Sequence, residues 1–201
     1  MDDVAAKPII ATNPFELFAE WFAEARESEI NDSNAMTVAT CTPDGRPSAR
    51  MVLLKDFDTR GFVFYTNKTS RKAGELNTNH HAALLFHWKS LRRQVRIEGA
   101  VEDVSEAEAD AYFATRARIS RLGAWASLQS QPLPDRATLE RRLAEVEAQY
   151  PGEVVPRPPH WSGYRVVPER LEFWQDMPYR LHDRSIFTRE GESWVTSKLY
   201  P

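Results

Sequence analysis

The chain of 201 residues has little glycine and almost no cysteine, and both shortages exclude whole classes of site. Its eight glycines are never closer together than 11 residues, so neither a GxGxxG nor a GxxxxGK[ST] phosphate-binding loop is present. The single cysteine, Cys41, cannot form an intrachain disulfide and excludes every multi-cysteine zinc or iron–sulfur pattern. A phosphate or nucleotide ligand would have to be held without a glycine-rich loop.

The sequence also lacks a strong charge of either sign and any long apolar run. Its 26 basic and 29 acidic residues give a net charge of −3, which predicts no general attraction to nucleic acid or anionic membrane. No stretch without Asp, Glu, Lys or Arg exceeds 13 residues, and the acidic start does not have the pattern of a signal peptide. We therefore expect a soluble, cytoplasmic protein that binds neither nucleic acid nor membrane.

Motifs for metal or nucleophilic catalysis are missing as well. The five histidines form neither an HxxxH nor an HExxH pattern, and no Gly-x-Ser-x-Gly elbow occurs. We therefore predict no metal site and rank acyl transfer low.

The sequence does contain material for one well-buried core, with 42% hydrophobic and 11% aromatic residues. Asn13 before Pro14 predicts the start of a helix, because Asn caps helices and Pro suits their first position. The apolar face of this helix consists of residues at helical spacing: Phe15, Phe18, Trp21, Phe22 and Ala25.

Short strands separated by turns predict an antiparallel sheet. Strands are expected at 35–41, 47–55, 62–66, 82–88, 94–104, 163–174, 186–189 and 193–199, with turns at 42–46 and 56–61. Further helices are expected at 70–77, 105–115, 119–126 and 135–150, the second of them opened by a capping box. Because helices and strands are grouped and do not alternate, the pattern predicts an α+β fold around an antiparallel sheet or barrel.

Basic residues cluster between Arg50 and Lys72, where the local charge is +4. Ser70, Arg71 and Lys72 stand where a helix is predicted to begin, and free backbone N–H groups beside cations favour phosphate binding. A solvated charged surface explains the same pattern, so both interpretations remain open.

A second basic and polar group comprises Tyr112, Arg116, Arg118 and Ser120, and all of these except Arg118 are spaced four residues apart. They share one face if the predicted helix continues through all three, and together they could hold a second phosphate. Ordinary packing and solvation explain such a spacing equally well.

A third group follows Trp174 in the sequence. If the segment is a strand, Arg180, His182 and Arg184 point to one face, because side chains alternate along a strand. A row of cationic and titratable groups is difficult to place in a core, so we interpret it as the wall of a ligand site.

Together these segments resemble the pyridoxamine 5′-phosphate oxidase family, from about residue 13 to residue 201. The resemblance rests on Arg50-Met51-Val52-Leu53-Leu54-Lys55, Phe64-Tyr65-Thr66-Asn67, Ser70-Arg71-Lys72, Leu84-Leu85-Phe86-His87-Trp88, Arg93-Gln94-Val95-Arg96, Gly123-Ala124-Trp125-Ala126-Ser127, Gln129-Ser130, Glu172-Phe173-Trp174-Gln175 and Arg180-Leu181-His182-Asp183-Arg184. It implies an FMN-binding split β-barrel, an antiparallel sheet with peripheral helices, over residues 13–201, with a flexible arm at 1–12. It also implies a homodimer with FMN at the subunit interface.

The resemblance further implies roles for individual residues. FMN would be bound by Arg50, Met51, Val52, Leu53, Leu54, Lys55, Tyr65, Thr66, Arg71, Lys72, Gln94, Gln129, Ser130, Trp174 and Arg184, with Gln129 and Ser130 coming from the partner subunit. Substrate would be bound by Lys55, Tyr112, Arg116, Ser120, Arg180, Leu181 and His182. Arg180 and His182 would be catalytic and cover the pyridine ring, and Asp32 is a weaker candidate for a polar contact.

The implied activity is oxidation of pyridoxine and pyridoxamine 5′-phosphates to pyridoxal 5′-phosphate, in vitamin B6 biosynthesis and salvage. Hydride passes from the substrate to FMN, and O2 reoxidises the flavin to give H2O2, with ammonia released from the amine substrate. Ile119 departs from the family pattern, which usually has a small or polar residue there. The alternatives are another split-barrel flavin reductase or a non-catalytic protein that binds FMN or pyridoxal phosphate.

Overall fold

The computed structural model describes residues 8–201, so residues 1–7 of the predicted arm lie outside the described residues. The helices are α1 (Pro14–Ser28), α2 (Arg71–Thr78), α3 (Glu106–Thr115), α4 (Arg118–Ala126) and α5 (Arg136–Gln149). The strands are β1 (Ala35–Cys41), β2 (Pro47–Leu53), β3 (Asp56–Asp58), β4 (Gly61–Asn67), β5 (His81–Trp88), β6 (Arg93–Asp103), β7 (Trp161–Gln175), β8 (Asp183–Glu190) and β9 (Ser193–Lys198). A short 3-10 turn spans Pro178–Arg180.

The strands form one antiparallel sheet in the order β2-β1-β5-β6-β7-β4-β3, and β8 pairs with β7 and with β9. The predicted strands are confirmed, with ends shifted by up to three residues. The sequence interpretation missed β3, because Asp56–Asp58 was taken as part of a turn. These residues pair with Gly61–Val63 instead, so the turn is shorter than predicted.

The sheet curls into a half-barrel, which confirms the α+β split-barrel prediction. The 15-residue β7 is central to the curl, because its first half pairs with β4 and its second half pairs with β8. The pairing of β6 with β7 shifts register at Glu98 and Gly99, and such an irregularity bends a strand locally. At the other side of the half-barrel, β2 contacts β4.

Helix α1 covers one face of the sheet with its aromatic side chains. Asn13 Oδ1 accepts hydrogen bonds from the backbone N–H groups of Phe15 and Glu16, so the predicted cap is confirmed. Phe18 is fully buried, with its ring centroid 4.9 Å from that of Phe62 and 5.2 Å from that of Phe86. Burying one such side chain contributes roughly 1.5–3 kcal/mol, so α1 supplies much of the core.

The predicted capping box is confirmed at the start of α3, where Ser105 and Glu108 bond each other's backbone N–H groups. The predicted break between the helices at 105–115 and 119–126 is confirmed, so the condition that one helix runs through Tyr112, Arg116 and Ser120 is not met. The backbone of Arg116 is extended, with ψ near 146°, so α3 ends at Thr115 and α4 begins at Arg118.

The first described residues lie beside β8 and β9. Ile9 is buried, and its backbone N–H donates to Asp183 Oδ2 at 2.6 Å. Of residues 8–201, no helix combines the length and the apolar character that crossing a membrane requires.

Candidate active site

A cavity of about 690 Å³ opens between the sheet and the helices α2 to α4. Its walls come from the ends of β2 and β4, the start of α2, the junction of α3 with α4, one face of α4, and the start of β7. Eleven residues that the sequence interpretation assigned to ligand binding line this cavity: Met51, Val52, Leu53, Lys55, Tyr65, Thr66, Lys72, Tyr112, Arg116, Ser120 and Gln129. The fold therefore brings together residues that are up to 78 positions apart.

Lys72 lies at one end of the cavity and is only 7% exposed. Its Nζ donates to Thr66 Oγ1 and Gln129 Oε1, both at 2.9 Å, and to Ser70 Oγ at 3.3 Å. No carboxylate among residues 8–201 forms an ion pair with it. Burial, together with repulsion from Arg50, lowers the pKa of Lys72 to about 8. A buried ammonium group that contacts only neutral oxygen atoms is a natural site for an anion.

Gln129, which the resemblance assigns to the partner subunit, makes contacts within its own chain. Its Oε1 accepts hydrogen bonds from Thr66 and Lys72 of its own chain, so the described chain provides these contacts by itself. Ser130 follows in an exposed loop with a positive φ of 69° and does not line the cavity.

Arg50 and Arg71 lie beside Lys72 and share one carboxylate, Glu75. Arg71 Nε is 2.9 Å and Arg50 Nη2 is 3.4 Å from the nearer Glu75 oxygen. Burial by itself would raise the pKa of Glu75, but hydrogen bonds from Ser48, Thr40 and Arg71 lower it to about 2. The sequence interpretation missed Glu75, although its spacing of four residues from Arg71 was a usable signal.

Arg116 occupies the other end of the cavity. Its Nη1 is buried without a hydrogen-bond partner in the described chain, and its guanidinium lies 4.9 Å from the Trp161 ring centroid. Burial lowers the pKa of Arg116 from its usual value. The break between α3 and α4 does not separate the predicted group, since Tyr112, Arg116 and Ser120 all line the cavity. An unpaired donor here provides a second place for an anion.

Stacked aromatic rings connect the two ends of the cavity. The Tyr65 ring is 4.2 Å from that of Tyr112 and 5.2 Å from that of Trp161, with interplanar angles of 13° and 3°. Gly163 makes room for this stack, because a Cβ at that position would lie 2.7 Å from the Tyr65 ring. The sequence interpretation did not single out Trp161 or Gly163, whose importance depends on the pairing of β7 with β4.

Three of the remaining predicted residues form a second group on β6, β7 and β8. Gln94, Trp174 and Arg184 face one another in register across these three strands. Arg184 binds Glu172, which is 2% exposed, through nitrogens at 2.7 and 2.8 Å. The described chain thus neutralises this arginine, in contrast to Lys72.

The condition for a shared face of Arg180, His182 and Arg184, a continuous strand, is not met. Pro178 begins a 3-10 turn in which Tyr179 and Arg180 have φ values of 58° and 60°, so β8 begins at Asp183. The His182 ring lies 4.6 Å from that of Trp174, and its Nδ1 is 3.0 Å from Asp176 Oδ1. Arg180 and Leu181 are exposed.

Several predicted residues lie outside the cavity. Leu54 is buried in the hydrophobic core, and Asp32 is exposed in a turn with a φ of 35°. The others that do not line the cavity are Arg50, Arg71, Gln94, Ser130, Trp174, Arg180, Leu181, His182 and Arg184.

The curled antiparallel sheet and its helices define a split-barrel fold of the type found in FMN-binding proteins. A pyridoxamine 5′-phosphate oxidase-related, FMN-binding protein from Nostoc punctiforme has the same fold, with a TM-score of 0.76 and 17% sequence identity over 96% of this chain and all of that one. Residues 22–150 match the family model described as pyridoxamine 5′-phosphate oxidase. Residues 161–201 match a second model, described as the C-terminal dimerisation region of pyridoxine 5′-phosphate oxidase. The chain belongs to the pyridoxamine 5′-phosphate oxidase family and is an enzyme of that family.

Similar proteins cover nearly the whole chain. A pyridoxine/pyridoxamine 5′-phosphate oxidase of Gluconobacter oxydans is 64% identical over 192 residues, which is 96% of each chain. The protein of that name from Rhodospirillum rubrum is 63% identical over 194 residues, covering 94% of this chain and 96% of the relative. PhzG from Burkholderia lata, solved with tetrahydrophenazine-1-carboxylic acid, is 36% identical with a TM-score of 0.90 over 95% of this chain and 94% of that one.

Proposed function

We propose that this protein oxidises pyridoxine 5′-phosphate and pyridoxamine 5′-phosphate to pyridoxal 5′-phosphate with FMN as its cofactor. The observation that carries this proposal is the presence of two cations at separate ends of one cavity: the buried Lys72, and the half-buried Arg116, whose Nη1 is itself buried. Neither forms an ion pair within residues 8–201, and Arg116 also retains an unused donor. Two anion sites joined by stacked rings suit a phosphorylated flavin together with a phosphorylated pyridine.

The donors at the Lys72 end fit the FMN phosphate. Lys72, Thr66 and Gln129 would bind its oxygens together with Arg71, while the start of α2 adds backbone N–H groups that the Ser70 side chain does not cap. FMN, when bound, supplies the redox chemistry by accepting a hydride from the substrate and passing electrons to O2, which gives H2O2.

The donors at the Arg116 end fit the substrate phosphate. Arg116 and Lys55 supply positive charge, while Tyr112 and Ser120 supply hydroxyl groups. Holding the phosphate at a fixed place orients the reacting carbon at the other side of the pyridine ring. Orientation of this kind is worth up to roughly 7–11 kcal/mol of the activation barrier.

We propose further that two copies of the chain share each site. Arg180, Leu181 and His182 fall within the residues that match the dimerisation region, and none of them lines the cavity of its own chain. In a homodimer, Arg180 and His182 of one copy would complete the cavity of the other. Arg180 would stabilise negative charge at the reacting carbon, and His182 would pack on the ring.

The reaction is tested by incubating purified protein with FMN and pyridoxine 5′-phosphate in air. We expect pyridoxal 5′-phosphate and H2O2 in equal amounts, and bleaching of the flavin absorbance when the same mixture is anaerobic. Bound FMN that pyridoxine 5′-phosphate does not reduce would contradict the proposal. Reduction by another donor would then indicate a different flavin reductase, and tight binding without any reduction would indicate a binding protein.

The sharing of sites is tested by mixing two inactive variants, Arg116→Ala and Arg180→Ala. If each site uses Arg116 of one copy and Arg180 of the other, dissociation and reassociation restores one intact site in each mixed dimer. We expect recovery of about a quarter of the wild-type activity, since half of the dimers would be mixed and each would hold one intact site of two. No recovery would place both residues in the same chain's site.

A further inference from the structure

Glu75 is a buried carboxylate next to the Lys72 end of the cavity, and the proposed reaction has no direct use for it. Its side chain is 6% exposed, and both of its oxygens are engaged. Oε1 accepts from Arg71 Nε at 2.9 Å, while Oε2 accepts from Ser48 Oγ at 2.6 Å and from Thr40 Oγ1. A carboxylate with this many donors has one defined orientation.

The contact with Glu75 restrains Arg71, whose side chain is otherwise 63% exposed. Arg71 donates to Glu75 through Nε, which leaves both of its Nη groups without a hydrogen-bond partner in the described part of the chain. A guanidinium held through Nε presents its two remaining N–H edges in a fixed direction, which suits the oxygens of a phosphate. Arg71 is the first residue of α2 and directly precedes Lys72.

Glu75 and its hydroxyl partners also hold the Arg50 guanidinium in place. Its Nη2 lies 3.4 Å from Glu75 Oε2 and 2.6 Å from Ser48 Oγ, and its Nη1 donates to Thr40 Oγ1 at 2.6 Å. Ser48 and Thr40 therefore bridge the guanidinium and the carboxylate. Glu75 joins the start of α2 to β1 and β2 through this network.

The charges of this cluster also suit one kind of ligand. The cluster contains three cations, Arg50, Arg71 and Lys72, and one carboxylate, Glu75, which leaves two positive charges. A phosphate monoester carries a charge of about −1.5 to −2 at pH 7, so it would nearly neutralise the cluster. A ligand without a phosphate would leave the Lys72 ammonium group buried without a counter-charge.

We propose that Glu75 is a positioning residue that orients Arg71 and Arg50 for the phosphate of the cofactor. The proposal rests on the proposed function, because it takes FMN as the ligand of the Lys72 end. For removal of the Glu75 charge, the proposal predicts a change in FMN affinity opposite to the change that electrostatics alone predicts. Removing a negative charge near an anion site should strengthen binding if charge alone mattered, whereas removing a positioning group should weaken it.

The test compares FMN with riboflavin, which lacks the phosphate, by quenching of flavin fluorescence on binding to ligand-free protein. We expect Glu75→Gln to weaken FMN binding by about tenfold or more, as is common when a supporting partner of a binding group is lost, and to change riboflavin binding less than twofold. Glu140→Gln is a matched control, because Glu140 accepts from Arg136 Nε at 3.1 Å with the same spacing of four residues on α5, away from the cavity. That control should leave both affinities unchanged.

Glu75→Asp provides the second variant, in case Glu75→Gln fails to fold. This variant keeps the charge and withdraws the carboxylate by one methylene group. A positioning role therefore predicts weaker FMN binding, whereas a purely electrostatic role predicts no change in FMN affinity. FMN binding by Glu75→Gln or Glu75→Asp that equals or exceeds that of the wild type would overturn the proposal for Glu75. Failure of the wild-type protein to bind FMN would instead overturn the proposed function.

Discussion

The two groups of cationic residues differ in how their charges are balanced. In the cavity, Lys72 is buried and Arg116 is half-buried with a buried Nη1, and neither forms an ion pair within residues 8–201, although such burial is costly. On β6 to β8, Arg184 lies against Glu172 at 2.7 Å. The first group is poised for anions from outside the chain, whereas Arg184 in the second group already has a counter-charge within the chain. The contrast supports the proposal that both phosphates bind in the cavity, with the second group contributing aromatic rings and the exposed Arg180.

The largest effect is expected from Arg116→Met, which removes the unpaired donor while retaining a long side chain. Removing one donor directed at a charged group of the substrate should lower kcat/KM for pyridoxine 5′-phosphate by about 100- to 1000-fold. Binding of FMN should be unchanged, because the proposed cofactor phosphate site is at the other end. Steady-state kinetics and fluorescence titration measure the two effects.

Arg118→Met is the control for this variant. Arg118 is two residues away, but its guanidinium donates to the backbone carbonyls of Tyr150 and Gly152, and it does not line the cavity. Its kcat/KM should stay within about threefold of the wild type, since surface changes away from a site have small effects. Equal losses in both variants would mean that Arg116 acts through general charge or folding.

Removing the counter-charge in the second group should lower the stability of the protein. Glu172→Gln leaves Arg184 without its buried counter-charge and also disturbs Arg96 and Arg170, which lie 3.4 and 3.5 Å from the same carboxylate. We expect a loss of about 3–5 kcal/mol in the free energy of unfolding, measured with urea on ligand-free protein. Glu169→Gln on the same strand is 61% exposed and should cost less than about 0.5 kcal/mol. If Glu172→Gln also lost less than about 0.5 kcal/mol in unfolding free energy, the contrast between the two groups would be contradicted.

In the cavity, removing a charge should have the opposite effect on stability. Lys72→Met eliminates a buried ammonium group that has no counter-charge, so the ligand-free protein should gain on the order of 1–3 kcal/mol in unfolding free energy. The same variant should bind FMN about 100-fold more weakly, because the proposed phosphate partner is gone. A destabilised Lys72→Met protein would show that Lys72 is structural.

The pH dependence of stability sharpens this point. The pKa of Lys72 is about 8 in the folded protein and 10.5 for an unperturbed lysine, so between these values the unfolded chain binds more protons at this residue. The contribution of Lys72 to stability therefore rises with pH across that window and is fully unfavourable below it. The stability advantage of Lys72→Met over the wild type should shrink between about pH 8 and pH 10, as urea unfolding at several pH values can show. A constant difference would contradict the lowered pKa.

Local patterns in the sequence predicted most of the fold, and they predicted the site less completely. The cap at Asn13, the capping box at Ser105 and the hairpin between β1 and β2 depend on neighbouring residues, so the sequence displays them directly. The role of Trp161 depends on contacts across the sheet that the sequence does not display. The pairing of Lys72 with Gln129 depends on how a distant loop returns to α2.

The regular side-chain periodicity is interrupted at residues 116–117 and at residues 178–182 for the same physical reason. Periodicity predicts side-chain direction only while the backbone conformation stays regular. Arg116 has an extended backbone at a helix junction, and Tyr179 has a left-handed backbone after a proline. The first break still leaves its residues in one cavity, whereas the second places Arg180 on an exposed turn.

The smallest expected effect concerns this turn, at the exposed edge of the second group. Tyr179 is 93% exposed and has a φ of 58°, a left-handed conformation in which a Cβ costs roughly 1–2 kcal/mol. Tyr179→Gly removes that cost but adds freedom to the unfolded chain, so a net gain of about 0.5–1 kcal/mol in unfolding free energy is expected. Tyr179→Ala removes the same ring, keeps the Cβ and should match the wild type in urea unfolding. If glycine and alanine gave equal stability, the strain at Tyr179 would be relieved in solution, and the turn that carries Arg180 would not be held in this conformation.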